Sequence, residues 1–444
     1  KPAFLIVGGG AAGLAAAVEA ARWRPHEVLV LDRAPIVSVG TCALPYLIGG
    51  QIEHPSQLIL NSPEQLLERG VGLHTQCSVQ EVDMKNHRVH VQFLDNGRQQ
   101  WIPYQKLLLA PGASHATSGH QYDNVQVPRD LVSSLKARTY LELSTTRQVL
   151  IVGSGYLGLE LAEAAVRRGK RVRLVDPNPK TNLLGLDSPL AESVMDELAR
   201  NGVEWVHGRV VGWQGGDSQA RSALLEDGQE IDFDLALVAT GLRPGNPLLD
   251  HLPLARGARG GIKVDRQAKT SLAHVFAAGD CCEIPGHNQS SQAHQFQPLA
   301  RPAALLGQVA GACALGPGAR YAGCLECVAI KVFELEVAWV KVAHPDQKLF
   351  CRTHWSSSKP GYWPGSSKLG LSLHCLGSAE GRLVGAQAVG KEGALARVQT
   401  LALAIGQGLN CSDLANLDHP YTPPLSSLWD PIGRAVRANR KWAE

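Results

Sequence analysis

The stretch Phe4-Leu-Ile-Val-Gly-Gly-Gly-Ala-Ala-Gly13 sets a short apolar run against a G-x-G-x-x-G made by Gly8, Gly10 and Gly13. A buried strand entering such a turn opens a dinucleotide-binding βαβ unit. The glycines permit a tight turn and close approach of backbone N–H groups to a pyrophosphate, which rests on the N-terminus of the next helix. That helix is expected over 14–21, followed by a strand Val28–Leu31 closed by Asp32, 19 residues beyond Gly13. An acid at this distance accepts hydrogen bonds from a ribose. Strand, helix and acid in this order favour nucleotide binding over a structural turn.

The pattern recurs. Val149–Val152 leads into Gly153-Ser-Gly155-Tyr156-Leu157-Gly158, a helix runs to Arg168, and Val172–Val175 ends on Asp176, 18 residues past Gly158. An acid there repels a 2′-phosphate, so NADH is favoured over NADPH, with Arg171, Arg173 and Lys180 as nearby counter-charges. Leu107-Leu-Leu-Ala110-Pro111-Gly112-Ala113 and Leu235–Gly241 read as buried strands entering glycine turns. Thr270 to Asp280 reads as a strand ending on Gly279-Asp280. The fold class is α/β with two Rossmann-like units, and one chain with two such units most simply binds two dinucleotides.

The 444 residues suffice for two to four domains. A net charge of +3 is too small to mark a nucleic-acid or membrane surface. The one basic tract, Arg167 to Arg173, falls inside the second βαβ unit and reads as a solvated turn. No apolar run reaches the length of a membrane span. Strand residues begin almost at once, so no signal peptide is expected. Ten cysteines without regular spacing point away from a disulfide scaffold and towards a reducing cytoplasm.

The order of these segments resembles the FAD-dependent pyridine nucleotide–disulfide oxidoreductases along essentially the whole chain. The resemblance implies an FAD domain (1–115 and 244–320), an inserted NAD(P) domain (116–243), and an α+β dimerisation domain (321–444). It implies FAD on Gly8, Gly10, Ala12, Gly13, Asp32, Arg33, Thr41, Cys42, Ala110, Pro111, Gly112, Gly279 and Asp280. The acid Asp280 would bond the ribityl chain or lie beside the pyrophosphate. The nicotinamide cofactor falls to Gly153, Gly155, Tyr156, Leu157, Gly158, Glu160, Asp176 and Gly241.

Within this family the loop Val37-Ser-Val-Gly-Thr-Cys-Ala-Leu-Pro-Tyr46 holds the chemistry. Val37 and Leu47 stand where a second cysteine would complete a disulfide, so Cys42 works alone. A helix expected over 43–48, with Pro45 in its first turn, puts Cys42 near a helix N-terminus, where backbone N–H groups favour a thiolate. The plainer alternative is a buried apolar cysteine. Its place in the loop that faces the flavin in this family argues for a redox thiol. The loop is similar to that of coenzyme A-disulfide and persulfide reductases through Ser38, Cys42, Leu44, Pro45 and Tyr46; Val39 and Thr41 depart from their pattern. Ser38, Thr41 and Arg22 are the implied substrate contacts, Arg22 through phosphates. The first glycine turn lacks a histidine, which weighs against peroxide chemistry.

Residues 329–340 alternate like sheet, 383–389 read as a strand and 394–406 as a helix. Leu417–Pro431 resembles a segment that crosses to the other subunit of a homodimer and sets a tyrosine, here Tyr421, beside the active cysteine. Tyr362 in Gly361-Tyr-Trp-Pro-Gly365 is the second aromatic candidate. A phenol can protonate a thiolate leaving group; interface packing is the alternative role. Cys281-Cys282 and Cys324/Cys327 read as structural, and no metal is expected. The expected activity is NADH-driven reduction, through FAD and Cys42, of a small disulfide or persulfide such as coenzyme A disulfide. A persulfide would arrive from outside, since no rhodanese-like extension follows. An NADH oxidase and an electron-transfer subunit with a protein acceptor are the alternatives.

Overall fold

A computed structural model describes residues 1–115, 122–287, 294–342 and 349–440. The chain divides into two compact units, Lys1–Ala43, Glu53–Ser118 and Gly241–Cys324 forming one, and Leu44–Ile52, Gly119–Thr240 and Leu325–Glu444 the other.

The first unit is built on a parallel sheet in the order Val275–Ala277, Lys106–Leu109, Phe4–Val7, Val28–Leu31, Val71–His74. Phe4–Val7 is buried along its whole length, as a central parallel strand must be when helices cover both faces. The first helix spans Ala11–Trp23, three residues earlier at its start than the apolar pattern suggested. It packs against the helix Ala300–Leu315 at backbone contact, because Gly307 and Gly311 face Ala12 and Ala16. A Cβ on either glycine would lie 2.2 or 2.4 Å from the Ala12 or Ala16 carbonyl oxygen. An antiparallel sheet of Cys77–Asp83, Arg88–Phe93 and Gln99–Pro103 and two smaller sheets also belong to the unit.

The second unit repeats the plan. Its parallel sheet runs Val203–His207, Arg171–Asp176, Gln148–Val152, Leu235–Val238, Val125–Gln126. Its glycine-turn helix is Tyr156–Arg167, and a three-stranded antiparallel sheet follows from Val210 to Asp232. A five-stranded antiparallel sheet follows in the order Glu326–Val332, Leu335–Lys341, Leu383–Gly390, Lys368–Leu376, Leu349–Ser357. The alternating 329–340 segment is thus a hairpin around Phe333-Glu334. Helix Ala394–Gln407 buries Val398, Leu401, Ala404 and Ile405 in the apolar core of this sheet. A disulfide joins Cys375 to Cys411, 36 residues apart, a pair that no spacing signal announces.

The basic tract turns at Arg168-Gly169 with Arg167, Gly169 and Arg171 exposed, but Arg168 and Lys170 are engaged by the protein. Arg168 Nε donates to the Ile48 carbonyl at 3.1 Å, and Lys170 Nζ donates to the carbonyls of Leu143 and Thr146 at 3.0 and 2.7 Å. Arg167 Nε meets Glu163 Oε1 at 2.8 Å. Arg168 and Lys170 hold carbonyl groups at helix and loop ends, where partial negative charge gathers.

Candidate active site

Each glycine turn is shaped by what a side chain would strike. Gly8 has φ 106°, and a Cβ there would lie 2.1 Å from the Ala110 carbonyl oxygen; one on Gly13 would lie 1.8 Å from the Gly8 oxygen. Gly10, at the N-cap of the first helix with no side-chain cap, has open space where a Cβ would stand. Uncapped N–H groups opening onto free volume suit a pyrophosphate. Asp32 fixes the turn: Oδ2 accepts from Gly9 N at 2.5 Å and Oδ1 from Ala34 N at 2.7 Å. Burial raises the Asp32 pKa despite these two donors. Ribose hydroxyls would supply the further hydrogen bonds that its charged form calls for. Gly279, φ 82°, would bring a Cβ within 3.0 Å of the Ala12 methyl, and burial pushes the neighbouring Asp280 up to about 6. Gly112, φ 79°, is open, as are the exposed surroundings of Arg33.

The second turn repeats the construction. A Cβ on Gly153 would lie 2.6 Å from the Ala239 carbonyl oxygen, and one on Gly158 would lie 1.9 Å from the Gly153 oxygen; Gly155, again an N-cap, is open. Asp176 Oδ2 accepts from Ser154 N at 2.7 Å and Oδ1 from Asn178 N at 2.8 Å. Both cradles therefore fit a dinucleotide. Glu160 lies one turn into the helix, and burial pushes its carboxyl up to about 7 against a 3.5 Å hydrogen bond from the Tyr46 hydroxyl. Gly241, φ 99°, leaves open space at the end of its strand.

The Cys42 loop is clamped at its base. Gly40 N donates to the Leu58 carbonyl and Leu60 N to the Ser38 carbonyl, both at 2.8 Å, and Val39 bridges Ile59. Ser38 takes φ 60°, is buried, and accepts from Asn61 Nδ2 at 3.0 Å. Its hydroxyl thereby shapes the loop. A Cβ on Gly9 would meet Val37 at 2.8 Å, so the loop starts in contact with the first glycine turn. Cys42 is an exposed thiol in a 3-10 turn, Thr41–Ala43, and the α-helix begins only at Leu44 and runs to Gly49. Thr41 is exposed as well. The helix Leu44–Gly49 packs on the Tyr156–Arg167 helix: a Cβ on Gly49 would lie 3.1 Å from Ala164 Cα, Tyr46 reaches Glu160, and Arg168 holds the far end. Tyr46 to Glu160 and Arg168 to the Ile48 carbonyl are two links that local motifs do not announce, since the partners are 114 and 120 residues apart in the chain.

Tyr421 and Tyr362 meet. A side-chain hydrogen bond between them raises the Tyr421 pKa above the usual phenol value, and both are exposed, at 40% and 74%. Tyr421 lines a cavity of about 1010 Å³ with His419, Leu425, Trp429 and Arg437. Arg22 is exposed in the last turn of the first helix and pairs with Glu19 at 3.0 Å. Cys281 and Cys282 are buried with sulfurs 3.6 Å apart, and burial raises the Cys282 thiol further from ionisation. Cys324 is buried and Cys327 exposed.

Two cradles of this form on one chain, with an exposed thiol beyond the first, define a dinucleotide-dependent oxidoreductase. The pyridine nucleotide-disulphide oxidoreductase family matches residues 2–295, and the chain belongs to it, with FAD and a pyridine nucleotide as cofactors. An NAD(P)H sulfur oxidoreductase (CoA-dependent) of Pyrococcus furiosus is 30% identical over 97% of this chain and 98% of its own length. An NADH oxidase of Methanocaldococcus jannaschii is 27% identical over 97% of both chains. The solved NAD-dependent persulfide reductase of A. fulgidus superposes with a TM-score of 0.91 at 26% identity, over 99% of this chain and 83% of that one. No helix among the described residues is long and apolar enough to cross a membrane.

Proposed function

We propose that this protein uses NADH to reduce a small disulfide or persulfide, of the coenzyme A disulfide kind, through Cys42. The observation that carries the reading is the exposed Cys42 thiol at the head of a helix packed on the second glycine-turn helix. Gly8, Gly10, Gly13, Asp32 and Asp280 would hold FAD, which would supply the two-electron chemistry between NADH and sulfur. Gly153, Gly155, Gly158 and Asp176 would hold the NADH pyrophosphate and ribose. Asp176 disfavours a 2′-phosphate, which supports NADH over NADPH.

The Cys42 thiolate attacks one substrate sulfur, forming a mixed disulfide and expelling the first thiol. The electron pair then breaks the mixed disulfide, returning Cys42 as thiolate and releasing the second thiol. Tyr421, hydrogen-bonded to Tyr362, supplies a proton to a leaving thiolate across a homodimer. Residues 321–444 would form that dimer's interface, 1–115 with 244–320 the FAD domain, and 116–243 the NAD domain. We expect neither a nucleic acid nor a membrane as a partner, and a cytoplasmic setting. Arg22 contributes weakly, since Glu19 already engages its guanidinium.

The likeness to an NADH oxidase supports one competing reading, oxygen as the acceptor. Steady-state turnover separates the two. The proposal expects NADH consumption matched by thiol release from coenzyme A disulfide under argon. NADH consumption that requires oxygen and ignores disulfides would reject it. Tyr421→Phe is expected to lower disulfide turnover about tenfold without slowing flavin reduction by NADH.

A further inference from the structure

We propose that Asp187, Cys351 and His374 form a binding site for a borderline-soft divalent cation of the zinc type. None of the three takes part in the chemistry above. Cys351 lies on the edge strand Leu349–Ser357 and is the direct cross-strand partner of His374 on Lys368–Leu376, so both side chains leave the same face of the sheet. Pairing with the next strand shifts register between His374 and Cys375, and irregularities of this kind re-aim side chains. Gly385, opposite His374, leaves room for the ring: a Cβ there would lie 3.1 Å from Nδ1.

Asp187 is delivered over this pair by the loop that starts helix Ser188–Arg200. Its backbone N–H donates to Gln387 Oε1 at 2.7 Å, and Gln387 Nε2 donates to the Gly185 carbonyl at 3.0 Å. Asp187 Oδ2 accepts from Cys351 Sγ and from His374 Nε2, each at 3.0 Å. The Ser372 hydroxyl also bonds the Asp187 carboxyl and pairs with Thr353 at 2.7 Å, an outer layer that fixes the carboxylate.

The three donor atoms lie within 4.8 Å of one another, the one such group of His, Cys, Asp and Glu among the described residues. Tetrahedral zinc with bonds of roughly 2.0 to 2.3 Å needs ligand atoms about 3.3 to 3.8 Å apart. The two sides that meet at Asp187 Oδ2 would open from 3.0 Å by about half an ångström, and the Sγ to Nε2 side, within 4.8 Å, would settle into the same range. A hydrolytic Cys–His–Asp triad is a different arrangement, because there the imidazole stands between thiol and acid. Here the carboxylate is central, bonded to both the thiol and the imidazole, and the imidazole does not stand between thiol and acid.

Binding replaces the Sγ proton, which passes to water; the Nε2 proton that faces Asp187 moves through solvent to Nδ1, which frees the Nε2 lone pair, and one carboxylate oxygen completes the set; no electron moves. Cys351 is exposed, so water fills the fourth position. The cation would cross-tie the edge strands to the loop before the 188–200 helix.

The test uses the full-length, FAD-loaded protein, stripped with chelator and titrated with cobalt(II). The long-wavelength bands of tetrahedral cobalt, beyond the flavin absorption, are the readout. One cobalt per chain is expected, displaced by zinc, with affinity at least tenfold weaker in Cys351→Ser and in His374→Gln and unchanged in Cys42→Ser. Bands absent from the wild type, retained in both variants, or lost in Cys42→Ser would each overturn the proposal. Should a variant fail to fold, alkylation of Cys351 in the wild type decides. Zinc is expected to slow it at least tenfold, and an unchanged rate rejects the site.

Discussion

The two glycine turns place the same backbone groups in the same way, yet their surroundings differ. In each, an aspartate at the end of the second strand accepts from the middle residue of the turn and from the N–H two residues beyond itself. Where the first has Ala11, Ala12 and Ala15, the second has Tyr156, Leu157 and Glu160. The first helix is held by apolar contact, glycine against backbone, with Ala300–Leu315. The second also buries an apolar face, with Gly49 against Ala164, but adds polar links: Glu163 Oε2 to Phe333 N at 2.7 Å, Tyr46 to Glu160, and Arg168 to Ile48. We attribute the difference to tenancy. A close-packed alanine and glycine cradle suits a resident FAD, and a rim with an aromatic and a titratable group suits an exchanging NADH.

Substitution of the buried glycines should break the two cradles in distinguishable ways. A Cβ on Gly13 or Gly158 would meet a carbonyl oxygen at under 2 Å, which forces backbone movement. Gly13→Ala is expected to yield protein without flavin. Gly158→Ala is expected to stay yellow yet be reduced by NADH at least about a hundredfold more slowly, an effect equal to about 2.7 kcal/mol. The same absorbance spectrum for both variants would contradict the assignment.

Gly155→Ala is a gentler probe, since nothing of the protein occupies its Cβ position. Its thermal midpoint should stay near wild type while the KM for NADH rises about tenfold, or roughly 1.4 kcal/mol. An unchanged KM would mean that no dinucleotide lies against this turn.

The polar links are weaker than the glycine contacts and should respond in proportion. Glu163→Ala leaves the buried Phe333 N–H without its acceptor and should cost about 1–3 kcal/mol of stability, read by urea unfolding. Glu160 gives the smallest effect, and one with a sign. Its carboxyl is raised from an ordinary 4.5 to about 7 in the folded chain. The stability tied to its proton is therefore complete below about 4.5 and lost as pH rises through about 7. Glu160→Gln should then be more stable than wild type at pH 8, by about 1–2 kcal/mol, and show no such advantage at pH 4.5. Parallel pH profiles would remove Glu160 from the account.

Much of the cradle was legible because its residues answer to local backbone needs. Gly8, Gly13, Gly153 and Gly158 are required by contacts a few residues or one strand away, and Asp32 and Asp176 by the length of a βαβ unit. Helix ends were less legible: the first begins at Ala11, since alanines inside the turn carry no periodic signal. Arg168 illustrates the limit. Within a run of basic residues it read as solvated, whereas its partner, the Ile48 carbonyl, is 120 positions away and leaves no local trace. The Cys375–Cys411 disulfide and the Cys351–His374 register pair were hidden for the same reason. Cys42, Tyr421 and Tyr362 are candidates singled out through the family resemblance of their segments. That the two tyrosines share a hydrogen bond depends on how the 361–365 and 417–431 segments fold.

The claim that Cys42 is the thiol through which electrons leave is tested most directly by trapping its mixed disulfide. The oxidised protein would be mixed with coenzyme A disulfide under argon, then digested and mapped by mass spectrometry before and after NADH. The account predicts a coenzyme A adduct on the Cys42 peptide that NADH removes within one turnover. An adduct confined to other cysteines, or one on Cys42 that survives NADH, would contradict it.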